Sequence, residues 1–209
     1  MTITCVVVGE GSTEVYIQSL ATVLAKRQNP NLKLEFKPGA GIHLNNPPGK
    51  LAFKVKNAVD LYNPDLILVH GDSDSNDARE IQARFGEVER AWEGISVKQR
   101  VPVVPVRETE AWMLADKEAI LEVVGLDSLP LAARKIYPKW PEAVQAKECL
   151  HEVFRECRLA AGWKPNRIDT NKEHRQIRAV VKDLIGLGAL PSFQKFKRDL
   201  QNALNSLTA

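Results

Sequence analysis

The tightest constraint on this sequence is a set of short apolar, mostly β-branched runs, each cut off by acidic or glycine-containing chain. They are residues 2–8 (TITCVVV), 66–69 (LILV) and 101–106 (VPVVPV). Runs this short and this apolar suit strands buried on both faces. Between them, Val15, Ile17, Leu20, Val23 and Leu24 fall on a helical period from Glu14 to about Arg27, and the QNPN at 28–31 stops it. A further strand is predicted at 32–36, a Gly/Pro/Asn loop at 38–50 and a helix at 51–61 that ends before Pro64. A polar helix capped near Asn76 runs to about Trp92. Strand and helix therefore alternate, which predicts an α/β fold with a mostly parallel sheet and helices on both faces. The two prolines in 101–106 place that strand at a sheet edge or a strand end.

Beyond Arg107 the periodicity is helical, at about 108–123, 141–160, 172–185 and 191–207, with breaks at Pro130, Pro138, 162–165 and Pro191. This divides the chain into a core, 1–110, and a helical C-terminal region, 111–209, packed on it. With 44% hydrophobic and 26% charged residues in 209, the chain has the means to bury a sizeable core. No apolar run approaches the roughly 18 residues of a membrane span, and no basic-then-apolar leader follows Met1. Cys5, Cys149 and Cys157 cannot all pair and lack metal-site spacing, so the expected setting is reducing, cytoplasmic and without a membrane partner. The net charge of +3 is modest but unevenly spread. Residues 117–209 carry 16 Lys+Arg against 11 Asp+Glu, and residues 1–116 carry 13 against 15. Early carboxylate chemistry and a later surface facing a polyanion would account for this, as would ordinary surface variation.

In a parallel sheet the strand C-termini share one edge, where ligands gather. Glu10 follows the first strand, Asp72 and Asp74 follow the third, and Glu108 and Glu110 follow the fourth. Carboxylates brought together raise one another's pKa, and a hard divalent cation, Mg²⁺ or Mn²⁺, removes that penalty. Glu14, four residues after Glu10, would reach the same side from a helix starting near Ser12. The Asp/Ser/Asn run at 72–77 would equally serve as a helix cap. Residues 9–14 (GEGSTE) have neither the lysine of a P-loop nor the glycine spacing of a dinucleotide fingerprint.

The sequence EGSTE at 10–14 after the first strand, with DSD at 72–74 after the third, resembles the Toprim domain of topoisomerases, bacterial primases and nucleases of the overcoming-lysogenization-defect type. ETEAWMLAD at 108–116 is similar to the signature of a bacterial Toprim-like family known only as a domain of unknown function. Pro138-Lys139 and Pro191-Ser192-Phe193 also fit that family. The resemblance implies Mg²⁺-dependent phosphodiester processing of nucleic acid, as by a nuclease, with two ions about 4 Å apart clamping the attacking and leaving oxygens. It assigns acid/base or metal duty to Glu10, Mg²⁺ to Asp72 and Asp74, and metal binding to Glu14. Glu110, inside the signature, would take a catalytic, metal-binding or positioning role, or equally form a buried helix-start pair with Arg107. Relatives often act beside a separate ATPase in phage defence, so a non-catalytic partner subunit or nucleic-acid-binding module is the alternative expectation.

This chain lacks the topoisomerase tyrosine and the primase zinc region. Arg107, Lys50 and Arg79 are candidates by position for stabilising a transition state. Lys172, Arg175, Arg178 and Lys182 recur at spacings of three and four, a stripe that would contact phosphates or simply face solvent. His43 reads as a loop residue and His70 as packing or as a support for Asp72; His151 and His174 lack ligand spacing. Trp112, Met113 and Leu114 read as core, as do Cys149 and Cys157.

Overall fold

The computed structural model describes residues 1–9, 14–38 and 51–209. In chain order these form β1 (Thr2–Val8), α1 (Glu14–Gln28), β2 (Lys33–Lys37), α2 (Leu51–Tyr62), β3 (Leu66–His70), α3 (Ala78–Arg90) and β4 (Gln99–Val103). Then come α4 (Glu110–Ala115), α5 (Lys117–Val124), α6 (Leu131–Ile136), α7 (Ala146–Ala160), α8 (Thr170–Ile177), α9 (Leu184–Gly188) and α10 (Pro191–Thr208). The strands make one all-parallel sheet in the order β2-β1-β3-β4, with Cys5 beside Leu66, Val8 beside Val69 and His70 beside Val103. The expected α/β fold, a parallel sheet with flanking helices and a helical C-terminal region, is the one observed.

Strand alternation sorts side chains to two faces. Ile3, Cys5, Val7, Leu66, Leu68, Val101 and Val103 enter one core with α1 and the C-terminal helices. Val6, Val8, Ile67 and Val69 enter a smaller core under α2 and α3 with Val55, Phe85 and Val88. The larger core runs without a break from β1 to Trp112, Phe154, Phe193 and Leu204, so residues beyond 110 supply much of what covers the sheet. No helix among the described residues is long and apolar enough to cross a membrane.

β4 lies at the sheet edge, where Pro102 costs no ladder bond. It ends at Val103, three residues before the run of valines and prolines does. Past that point the chain pairs with the loop after β3 instead: Gly71 N–H donates to Val103 O, Ser73 N–H to Pro105 O and Asp74 N–H to Arg107 O.

The helices expected at 108–123 and 172–185 are each broken, and one residue contributes to both breaks. Buried Asp116 caps α5 by accepting from Ala119 N–H at 3.0 Å. It also accepts from Lys182 and Asp183 N–H at 2.7 and 2.9 Å. Those amides are thereby held outside a helix, and Asp183 caps α9 in turn. The helix expected at 141–160 opens as a 3-10 turn, Pro141–Ala143, before α7 begins. Between Pro130 and Pro138, where breaks are expected, the chain forms α6.

Candidate functional site

Chain order places the switch point of the sheet between β1 and β3, because β1 leads outward to β2 and β3 leads the other way to β4. Ligands of open parallel sheets bind beyond the strand C-termini at such a point. Gly9 follows β1 there, and Gly71 and Asp72 follow β3. A Cβ on Gly9 would stand 3.1 Å from His70 Nδ1 and 3.6 Å from Glu14 Cγ, so glycine is what lets β1 approach His70 and Glu14. Lys54, from α2, donates to Gly9 O at 3.0 Å. Burial raises the pKa of half-buried Glu14; the Gly9 amide and the charges of His70 and Lys54 only partly offset it.

Asp72 is the most constrained carboxylate of the edge. Its Oδ1 accepts from Thr109 N–H and from Thr109 Oγ1, both at 2.9 Å, and lies 3.1 Å from His70 Nε2. Thr109 Oγ1 is also 2.9 Å from that nitrogen. The hydroxyl proton goes to the carboxylate, so a hydrogen on Nε2 of His70 completes the network. Burial opposes the charged form, but the bonds and charge from His70 and Thr109 outweigh it, and Asp72 is held below its ordinary 3.8. All three donors act on Oδ1. With the side chain 29% exposed, Oδ2 is left without a hydrogen-bond partner among the described residues.

Asp74 follows on the same loop and is exposed, with its backbone left-handed at φ 55°. Arg107, across the loop, is left-handed at φ 60°, half-buried, and its Nε has no acceptor among the described residues. Its N–H donates to Ser73 Oγ at 2.9 Å and Ser75 O at 3.0 Å, which ties the two loops together. Half-buried Glu108 accepts a long bond from Lys147 N–H, 3.4 Å, at the start of α7. Burial raises its pKa, and the negative charges of Glu110, Glu148 and Asp72 push the same way.

Of the residues singled out from sequence, Glu14, Asp72 and Asp74 lie along this edge. Glu10 lies outside the described residues, as do Lys50 and His43. Glu110 turns inward: it is buried at the start of α4, and its Oε1 is 2.8 Å from His174 Nε2, without hydrogen-bond alignment. The partner expected for a helix-start pair was Arg107; the observed one is His174, which in turn meets His151 at 3.4 Å. Lys172 and Arg175 are exposed on α8. Arg178 caps that helix half-buried, its carbonyl accepting from Ser19 Oγ, and Lys182 lies beyond the helix end, paired with Glu122. The four basic residues therefore do not form one helical stripe.

Thr109 and Lys54 reach the edge without having been singled out. Thr109 stands inside the 108–116 segment and a hydroxyl there is a weak signal; nothing local marks Lys54. The rest of that segment is built into the core. Trp112 packs at 5.5 Å from both Phe193 and Phe196, and its Nε1 donates to Ser192 at 2.7 Å. Ser192 donates on to buried Glu142.

Carboxylate oxygens are the right donors for Mg²⁺ or Mn²⁺. Among the described residues, no three His, Cys, Asp or Glu groups are placed to hold an ion together. Mg²⁺ commonly takes only one or two protein carboxylates and completes its shell with water and phosphate oxygen, and Asp72, with Oδ2 unengaged among the described residues, is a donor suited to that mode. Comparison with protein-family models, curated proteins and solved structures finds no match to this chain.

Proposed function

We propose that this chain is a Toprim-type, Mg²⁺-dependent protein that processes nucleic-acid phosphodiesters, as a nuclease does. The observation that carries the reading is Asp72. It stands at the switch point of a parallel sheet, is kept ionised by His70 and Thr109, and has Oδ2 unengaged among the described residues. Asp72 and Asp74 would hold the cation. When bound, the ion would polarise a phosphoryl oxygen and lower the pKa of an attacking water. Glu14, whose raised pKa favours the neutral acid more than usual, is suited to hold a proton near the β1 end of the edge. Glu108 is suited in the same way at the β4 end. Lys54 adds positive charge beside Gly9. Glu10 keeps the catalytic assignment that the resemblance implies; Glu110, buried and in contact with His174, is left the positioning role.

The test is cleavage of plasmid, linear duplex, single strands and tRNA with Mg²⁺ or Mn²⁺, together with Mn²⁺ titration by calorimetry. Asp72→Asn should lose both ion binding and cleavage by a factor of a hundred or more, on the order of removing a principal electrostatic group, with its far-UV spectrum unchanged. Wild-type protein that binds no Mn²⁺ at saturating concentration overturns the reading.

A second reading, a nucleic-acid-binding or partner subunit without catalysis, rests on the resemblance. Strand binding without ion binding in the same experiment would select it. A separate ATPase as partner, and a role in phage defence, rest on the resemblance alone.

A further inference from the structure

We infer that the surface formed by Trp163 and the outer face of α8 binds unpaired nucleic acid, with a base stacked on the indole. The inference rests on the preceding reading of nucleic acid as partner, and names the form of it that this surface takes. α7 ends in a turn that presents Trp163 outward: Gly162 is left-handed at φ 82°, and Ala161, Gly162 and Trp163 N–H return to Cys157, Leu159 and Arg158 carbonyls, each at 3.0 Å. The indole is 42% exposed, although residues 161–167 around it are otherwise small or polar.

Its mount is rigid. The Arg158 guanidinium stands 4.7 Å from the ring centroid. It is fixed by Glu173 Oε1 at 2.7 Å and by the carbonyls of Val124 and Val123 at 3.2 and 3.3 Å, at the end of α5. A cation behind an aromatic ring and a rigid anchor are what a stacking platform needs, because little freedom is lost when a base arrives.

The charge of the segment that carries the ring has the matching sign. Residues 158–178 carry six Lys/Arg and two acidic groups. Of those two, Glu173 is buried against Arg158 and Asp169 caps α8 through Asn171 N–H. Exposed Lys164, Arg167 and Lys172 form no ion pair among the described residues, and Arg175 has only a 3.7 Å contact with Asp169. The inner face of α8 packs on α7 and α5, and its His174 touches buried Glu110, two residues along the chain from Glu108. A base inside a duplex has no free face for Trp163, so single-stranded DNA or RNA is the form that fits.

The full chain would be titrated in EDTA against labelled oligothymidylate, oligouridylate and a duplex of equal length, by fluorescence anisotropy. Either single strand should bind more tightly than the duplex, and whichever binds better tells DNA from RNA. Trp163→Ala should weaken strand binding about ten-fold and Trp163→Phe should restore most of it. Lys172→Gln with Arg175→Gln should reduce the slope of log affinity against log salt by about 1.4, each phosphate contact on a single strand contributing about 0.7. Wild-type affinity in Trp163→Ala, or equal or tighter binding of the duplex, overturns the inference. Because EDTA removes the ion, these outcomes are independent of whether Asp72→Asn abolishes cleavage.

Discussion

At Asp72 two effects of burial oppose each other: lost hydration favours the neutral acid, and the donors it is buried with favour the anion. The donors win, and Thr109 supplies two of the three. Thr109→Val removes the hydroxyl and should cost about 2 kcal/mol at neutral pH, as expected for a hydrogen bond to a charged group. Because Asp72 is depressed in the folded state, its contribution is complete above pH 3.8 and is lost as pH falls through the lower folded value. The difference between wild type and Thr109→Val in urea unfolding should therefore shrink below pH 3.8. Glu142 has the opposite sign. Burial raises it although Ser192 donates to it, so its contribution is complete below 4.5 and is lost as pH rises through its folded value. Glu142→Gln keeps an acceptor for Ser192 without the charge. It should raise Tm near neutral pH by about 2–4 °C, the effect of roughly 1 kcal/mol on a chain this size, and leave it unchanged below pH 4.5. The positions of Asp72 and Asp74 were legible from sequence because an acid directly after an apolar strand marks a sheet edge. Thr109 and Lys54 were not, because what places them is approach between distant elements rather than local pattern.

At the scale of elements, period and composition announced the helices, but where they stop was decided by contacts that sequence spacing does not display. Asp116 is the clearest case. It reaches 66 and 67 residues along the chain to take the amides of Lys182 and Asp183, and so ends one predicted helix while capping another. Asp116→Ala strands three backbone donors and should destabilise by on the order of 3 kcal/mol in urea unfolding. The same crowding explains Gly186, where a Cβ would stand 2.2 Å from Ala115 O. The 108–116 segment that suggested chemistry from its letters divides in the fold. Glu108 and Thr109 face the edge, whereas Ala111–Leu114 and Asp116 hold the helical layer together.

For the molecule as a whole, the boundary at 110 drawn from the change in periodicity crosses a continuous core. α10 packs on β4 and α1, and Trp112, Phe193 and Phe196 lie in the same cluster as Ile3, Cys5 and Leu68. A fragment ending at residue 110 would keep α1 on that sheet face but expose the part that the C-terminal helices cover, and its amide spectrum should show the narrow dispersion of an unfolded chain. A dispersed, cooperatively melting fragment would show that the first half stands alone. The left-handed backbones of Asp74 and Arg107 bear on the molecule's working limits. Each holds the chain in a conformation that costs L residues about 1–2 kcal/mol, against a total of about 5–15 kcal/mol for a typical fold. Glycine would be more comfortable at both places, so selection for heat tolerance alone would work against Asp74 and Arg107, and hardier descendants would be expected to lose those two side chains first.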